Sequence, residues 1–263
     1  MPHVRALYRY PVKGLTPEPR AELEVQEDGR VAGDRVLAFR FADAAVPLER
    51  DGLDYWPKSR GLALMDFPSL ARLRLRYDGD EGRVRLWLDG ELLADERLPE
   101  GRERLTRAVT EFVLSTPDGR RLRGEGRLPL ALVGDGAASR FQDRPRGYVS
   151  LHGRASVEAV AAVVDAPVDD RRFRSNVVVD GVAPWAELGW SGRVRIGDVL
   201  FEVQQSIGRC LAVHANPDTG ERDARLLQTL TGVLGQDEPT LGILLLPVAG
   251  GGVIRVGDEV REA

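Results

Sequence analysis

The stretch Gln205-Ser206-Ile207-Gly208-Arg209-Cys210-Leu211-Ala212-Val213-His214-Ala215-Asn216-Pro217-Asp218-Thr219-Gly220 decides how the rest of the chain is read. It holds the one cysteine among 263 residues, preceded by Arg209, with His214 four residues on. A neighbouring guanidinium favours the ionised thiol, the form that binds metals and attacks electrophiles, so Cys210 is a candidate ligand or nucleophile. The plainer alternative is a small buried hydrophobe in a β-strand. Two neighbours point the other way. Gly208 leaves room for backbone to approach a bound group, and Asn216-Pro217-Asp218-Thr219-Gly220 is turn chemistry that ends the strand.

At 28.9 kDa, with 43% hydrophobic and 30% charged residues, the chain has the make-up of a globular protein with a full core, as one large or two closely packed domains. It contains no run of about 18 apolar residues, and its N-terminus begins directly in a strand-like pattern. A cytoplasmic protein without membrane contact is expected. The net charge of −4 and pI near 5.6 argue against a nucleic-acid surface. A single cysteine excludes an internal disulfide and an all-cysteine zinc or iron–sulfur site. With no flavin motif either, a redox reaction takes its electrons from a separate donor protein. Lys13 and Lys58 are the only lysines, so single arginines carry little weight unless position adds a reason.

Along the chain, Val4–Val12 is strand-like and breaks at Pro11, and Glu22–Val25 alternates. Arg72–Tyr77 and Arg83–Leu88 alternate strictly around Asp78-Gly79-Asp80-Glu81-Gly82, which predicts a hairpin with its arginines on a solvated face. Leu105, Ala108, Val109, Phe112 and Val113 form one helical stripe that stops before Pro117. A domain boundary is placed near residue 98. Residues 137–148 read as a loop carrying Arg140, Arg144 and Arg146. Ser156 is the expected cap of a second helix with Val157, Val160, Ala161 and Val164 inward, and Asp223 of a third bearing Leu226, Leu227, Leu230, Val233 and Leu234. Gly197 and Gly257, each followed by aspartate, punctuate strands, and 241–248 with 253–260 close the fold.

Arg209-Cys210 followed by Pro217-Asp218-Thr219-Gly220 resembles the signature of the MOSC domain, found at the C-terminus of molybdenum cofactor sulfurases and in the mitochondrial amidoxime-reducing component. In that family the cysteine is a molybdenum ligand or a sulfur acceptor. A threonine or similar small polar residue usually follows it, where this chain reads Ala212-Val213-His214. Tyr10-Pro11-Val12-Lys13-Gly14 resembles the opening of the β-barrel domain that precedes MOSC in the amidoxime-reducing branch, whose lysine points at the pterin phosphate; Gly14 replaces the usual serine. Asp34-Arg35 resembles a pair whose arginine contacts the cofactor, the bland alternative being a surface ion pair. Phe173-Arg174-Ser175-Asn176 departs from the family's phenylalanine-arginine-proline-asparagine only at the third position. Unliganded, a buried Arg174 would need an acidic partner, which Asp169 or Asp170 could supply.

The resemblance implies a mainly β fold with a few helices (α+β), in which an N-terminal β-barrel-like domain (1–98) packs on a MOSC β-barrel domain (99–263). It implies a molybdenum cofactor of the molybdopterin type, held by Lys13, Gly14, Arg35, Arg174, Asn176, Gly208 and Arg209, with Cys210 on the metal. Such an enzyme is a molybdenum-dependent oxidoreductase that reduces small N-hydroxylated substrates. His214 is a candidate proton donor, or else structural. The alternatives are a sulfur carrier or transferase with a persulfide on Cys210, and a cofactor-binding module without catalysis.

Overall fold

The computed structural model describes residues 1–138 and 141–263; Arg140 lies outside them. Strands dominate and helices are few. The largest sheet has eight strands in the order Val260–Glu262, Arg193–Ile196, Val199–Gly208, Thr240–Pro247, Val149–Gly153, Val177–Asp180, His3–Arg9, Glu18–Arg20. The first strand of the chain thus lies inside the sheet made by residues 149–262, antiparallel to Val177–Asp180 with Leu7 opposite Val177. Val149–Gly153 and Val177–Asp180 run parallel, and the helix Arg154–Ala161 lies in the crossover that such a pair requires. Val4, Leu7, Leu151, Val177, Val179, Phe201, Ile243 and Leu245 fill one core beneath this sheet.

The expected barrels do not close. The sheet ends in two strands of three residues each, too short to form a closing ladder. An isolated bridge between His3 and Glu259 is what brings the final strand back toward the first, with Val260 N–H on the Pro2 carbonyl at 2.9 Å. The remaining strands form separate two- and three-stranded sheets, one of which pairs Glu22–Val25 with Gly252–Arg255.

The hairpin forms as the alternation predicts, with Arg76 opposite Arg85 and Leu75 opposite Leu86. A third strand, Glu91–Arg97, adds to it and carries Asp95 beneath Arg83 at 2.6 Å. The arginine face is therefore a solvated one laced with ion pairs. The helix Arg102–Ser115 buries Leu105, Val109, Phe112 and Val113. They share one core with Leu75 and Leu86 and also Val12, Leu15, Phe39 and Phe67, so residues on both sides of position 98 contribute to it. Among the described residues no helix is long and apolar enough to cross a membrane.

Two expected caps have other partners. Ser156 lies inside its helix, which starts from Gly153; its hydroxyl donates to Glu187 Oε2 at 2.8 Å and accepts the Trp185 N–H. Asp223 is drawn off by Arg172 and Asn216. The third helix is broken into a short turn, Leu226–Gln228, and a π-helical turn, Thr229–Val233, with Leu226 and Leu230 buried but Val233 64% exposed.

Candidate functional site

The strand Val199–Gly208 delivers the sulfur. Its pairing with Thr240–Pro247 slips twice, between Val203 and Gln205 and between Ser206 and Gly208, and such bulges turn a strand and re-aim its side chains. The pairing ends where Arg209 N–H meets the Pro239 carbonyl at 2.7 Å. Cys210 follows in extended conformation, just before the 3₁₀ turn Leu211–His214. It is half-buried and lines a cleft, not packed inside a strand. A Cβ on Gly208 would meet nothing within 4 Å, so the backbone there faces the open cleft, as its lack of a side chain suggested.

The four cations expected from the sequence, Lys13, Arg35, Arg174 and Arg209, reach the same cleft from distant parts of the chain. Lys13 donates to the Phe141 carbonyl at 3.0 Å and to Asp143 Oδ1 at 2.7 Å. Arg35 is bound to Asp34, which is fully buried, so the pair is an internal one. Arg35 and Arg174 both sit in the left-handed region, at φ 54° and 53°, a conformation that costs a non-glycine residue about 1–2 kcal/mol. They lie over the ring of Tyr10, at 4.9 and 4.3 Å from its centroid, and Arg35 also donates to the Arg174 carbonyl at 3.2 Å.

Arg174 and Arg209 differ from the other two in having no carboxylate partner among the described residues. Asp169 is taken by Arg171 and Asp170 approaches His152, so neither neutralises Arg174. Arg174 donates to the Leu15 carbonyl at 2.8 Å. Arg209 donates to the carbonyls of Phe173, at 2.7 Å, and Leu241. Burial pulls both guanidinium groups down to about 10, which leaves them charged at neutral pH. Burying a charge against carbonyls alone is costly, and a bound anion offsets that cost.

A model of the MOSC domain matches residues 138–261. Residues 138–261 thus carry a MOSC domain. Molybdenum cofactor sulfurase of Caenorhabditis briggsae is 34% identical over 118 residues, 44% of this chain and 16% of the nematode protein. The sulfurase of Drosophila grimshawi is 40% identical over 82 residues, 30% of this chain and 10% of its own length. Mitochondrial amidoxime-reducing component 1 of Mus musculus is 34% identical over 115 residues, 40% of this chain and 34% of the mouse protein. The chain thus spans about a third or less of these relatives.

Lys13, Gly14, Arg35, Arg174, Asn176, Gly208, Arg209 and Cys210 all line one cleft. His214 does not. It is buried, and its Nε2 accepts the Leu227 N–H at 3.1 Å, which ties it to the broken helix instead of a reacting group. The carboxamide of Asn176 is spent within the protein: it accepts from Ser150 Oγ at 2.8 Å and donates to the Tyr8 carbonyl at 3.1 Å, so it joins three strands at the cleft floor. The turn Pro217-Asp218-Thr219-Gly220 is a tether, because Asp218 accepts from Arg171 at 2.9 Å and from Arg74 of the hairpin. Asp143, Arg144, Arg146 and Tyr148 line the cleft without having been singled out as site residues; a loop without periodicity gives them no signal beyond their charge.

The donor set fits a molybdopterin-type cofactor. Among the described residues no three of His, Cys, Asp and Glu converge to cage a bare metal ion, whereas a metal that arrives on an anionic organic ligand needs cationic donors and one soft protein atom. The cleft offers both, with open space beside Gly208.

Proposed function

We propose that this protein holds a molybdenum cofactor of the molybdopterin type in the cleft and reduces N-hydroxylated compounds. The observation that carries this reading is the convergence of Cys210 with Arg174 and Arg209, two half-buried guanidinium groups that lack a carboxylate among the described residues. Lys13, Arg35, Arg174 and Arg209 are the anion donors, and Gly14 and Gly208 let backbone come close. Asn176 acts by holding strands in register, and Cys210 supplies the thiolate ligand. When bound, the cofactor supplies two-electron, oxygen-atom chemistry. In the overall reaction the N–O bond breaks, two electrons and two protons are consumed, and the oxygen leaves as water. The electrons come from a separate donor protein.

A second reading, a sulfur carrier with a persulfide on Cys210, draws support from the relatives named molybdenum cofactor sulfurase. Metal analysis separates the two. Protein made in a cofactor-competent host is expected to carry about one molybdenum per chain, lost in Cys210→Ala, and to reduce benzamidoxime with a chemical reductant. A persulfide on Cys210 without molybdenum sinks the first reading in favour of the second. Bound cofactor without turnover leaves a binding module.

A further inference from the structure

The cleft holds more positive charge than the proposed cofactor uses, and the surplus sits on its rim. Lys13 is paired with Asp143 at 2.7 Å, Arg35 with Asp34, and Arg172 with Asp223 at 2.6 Å. Arg174 and Arg209 are half-buried in the lining, where the proposed reading sets the cofactor. Lys58 approaches Asp143 at 3.9 Å, which leaves Arg144 and Arg146, both exposed, both lining the cleft, and neither in an ion pair among the described residues.

Exposed arginines are ordinary in an arginine-rich chain, but Arg144 is held. With the Gln205 carboxamide oxygen turned toward it, both terminal nitrogens of Arg144 donate to that oxygen, at 2.5 and 2.8 Å. Gln205 belongs to the strand Val199–Gly208 that leads to Cys210, so one element fixes the guanidinium and the sulfur relative to each other. At about 3.3 Å per residue, the backbone of Gln205 stands no more than roughly 17 Å from that of Cys210. Ile207, between them in sequence, lines the cleft, as does Leu244. These two side chains give the lining an apolar part.

The geometry points to a substrate that carries an acid: an N-hydroxylated compound whose carboxylate or phosphate is received by Arg144 and Arg146 while its apolar body lies along Ile207 and Leu244. This rests on the reductase reading for the reacting end of the molecule, but the acid subsite is a matter of binding alone. A planar guanidinium suits bidentate capture of an oxyanion, and an exposed site makes that capture sensitive to salt.

The test uses para-carboxybenzamidoxime and its methyl ester, titrated by calorimetry into the cofactor-loaded protein, with turnover under a chemical reductant measured in parallel. The acid is expected to bind at least tenfold more tightly than the ester at low salt. Arg144→Gln and Arg146→Gln should each weaken acid binding about tenfold, the effect of losing ~1.4 kcal/mol, and leave the ester unchanged. Equal affinity for acid and ester, no measurable binding of the acid, or a preference that survives the double variant overturns the proposal. A preference for the acid with neither compound reduced sinks the reductase reading and leaves the subsite standing; reduction of both without preference does the reverse.

Discussion

Lys13 and Asp143, 130 residues apart in sequence, meet at 2.7 Å over the cleft. The pairing is lopsided. Lys13 is 7% exposed, while the Asp143 side chain is 56% exposed. Burial drags the ammonium below the ordinary lysine range by more than Asp143 lifts it. Burial also opposes ionisation of Asp143, yet the charges of Lys13 and Lys58 hold its carboxyl well below the usual carboxylate range. A half-exposed pair contributes at most about 1 kcal/mol, which does not repay the desolvation of the lysine. Lys13→Met is therefore expected to leave the thermal midpoint of the cofactor-free protein unchanged or raised, while molybdenum retention falls at least tenfold. A clear drop in midpoint with retention intact would make Lys13 structural. In the wild type, retention should weaken at a pH below the ordinary lysine range, because the buried ammonium gives up its proton early.

Arg174 and Arg209 are both proposed anion donors, but the fold uses them differently. Arg174 donates to one carbonyl, that of Leu15. Arg209 ties the Phe173 carbonyl to that of Leu241, and its loss strands buried acceptors at about 1–3 kcal/mol each. Urea denaturation should find Arg174→Met within about 1 kcal/mol of wild type and Arg209→Met lower by about 2–3 kcal/mol. Both should lose cofactor. Equal stability losses would contradict the assignment.

What could be read in the chain follows from how local each signal is. The alternation of the hairpin and the stripe from Leu105 to Val113 depend on residues a few positions apart, and both elements form where the pattern sets them. Lys13, Arg35, Arg174 and Cys210 were recognisable because short motifs mark them, and the cleft brings them together. The caps failed because a local preference met a distant partner: Asp223 is claimed by Arg172 and Ser156 by Glu187. Asp143 and Arg144 carry no local mark of a site, since their worth depends on Lys13 and Gln205, each more than fifty positions away.

The tether at Asp218 and Gly220 joins the cysteine segment to the N-terminal half. Gly220 has φ 74°, and a Cβ there would sit 2.4 Å from the Pro68 carbonyl. Gly220→Ala thus combines backbone strain with a clash against backbone, and should cost about 2 kcal/mol or more. Asp218→Asn breaks ion pairs that are half exposed and should cost about 1 kcal/mol or less. Denaturant midpoints of the two variants check the order, and the reverse order would mean that charge, not close approach, holds the turn down.

His214 supplies a test by pH. Burial lowers its pKa, helped by Arg222, Arg172 and Arg225, and its Nε2 must be unprotonated to accept the Leu227 N–H. In the unfolded chain the imidazole protonates near its usual value of about 6.5. Below that pH the unfolded state binds more protons than the folded one, so stability falls as pH falls. Wild type should lose stability between about pH 7 and 5. His214→Gln, whose carbonyl oxygen can accept the same N–H, should lose less over that interval. The pH profile of substrate reduction should be the same in both proteins, since His214 stands outside the cleft lining. A shifted catalytic profile with an unchanged stability profile would return His214 to the chemistry.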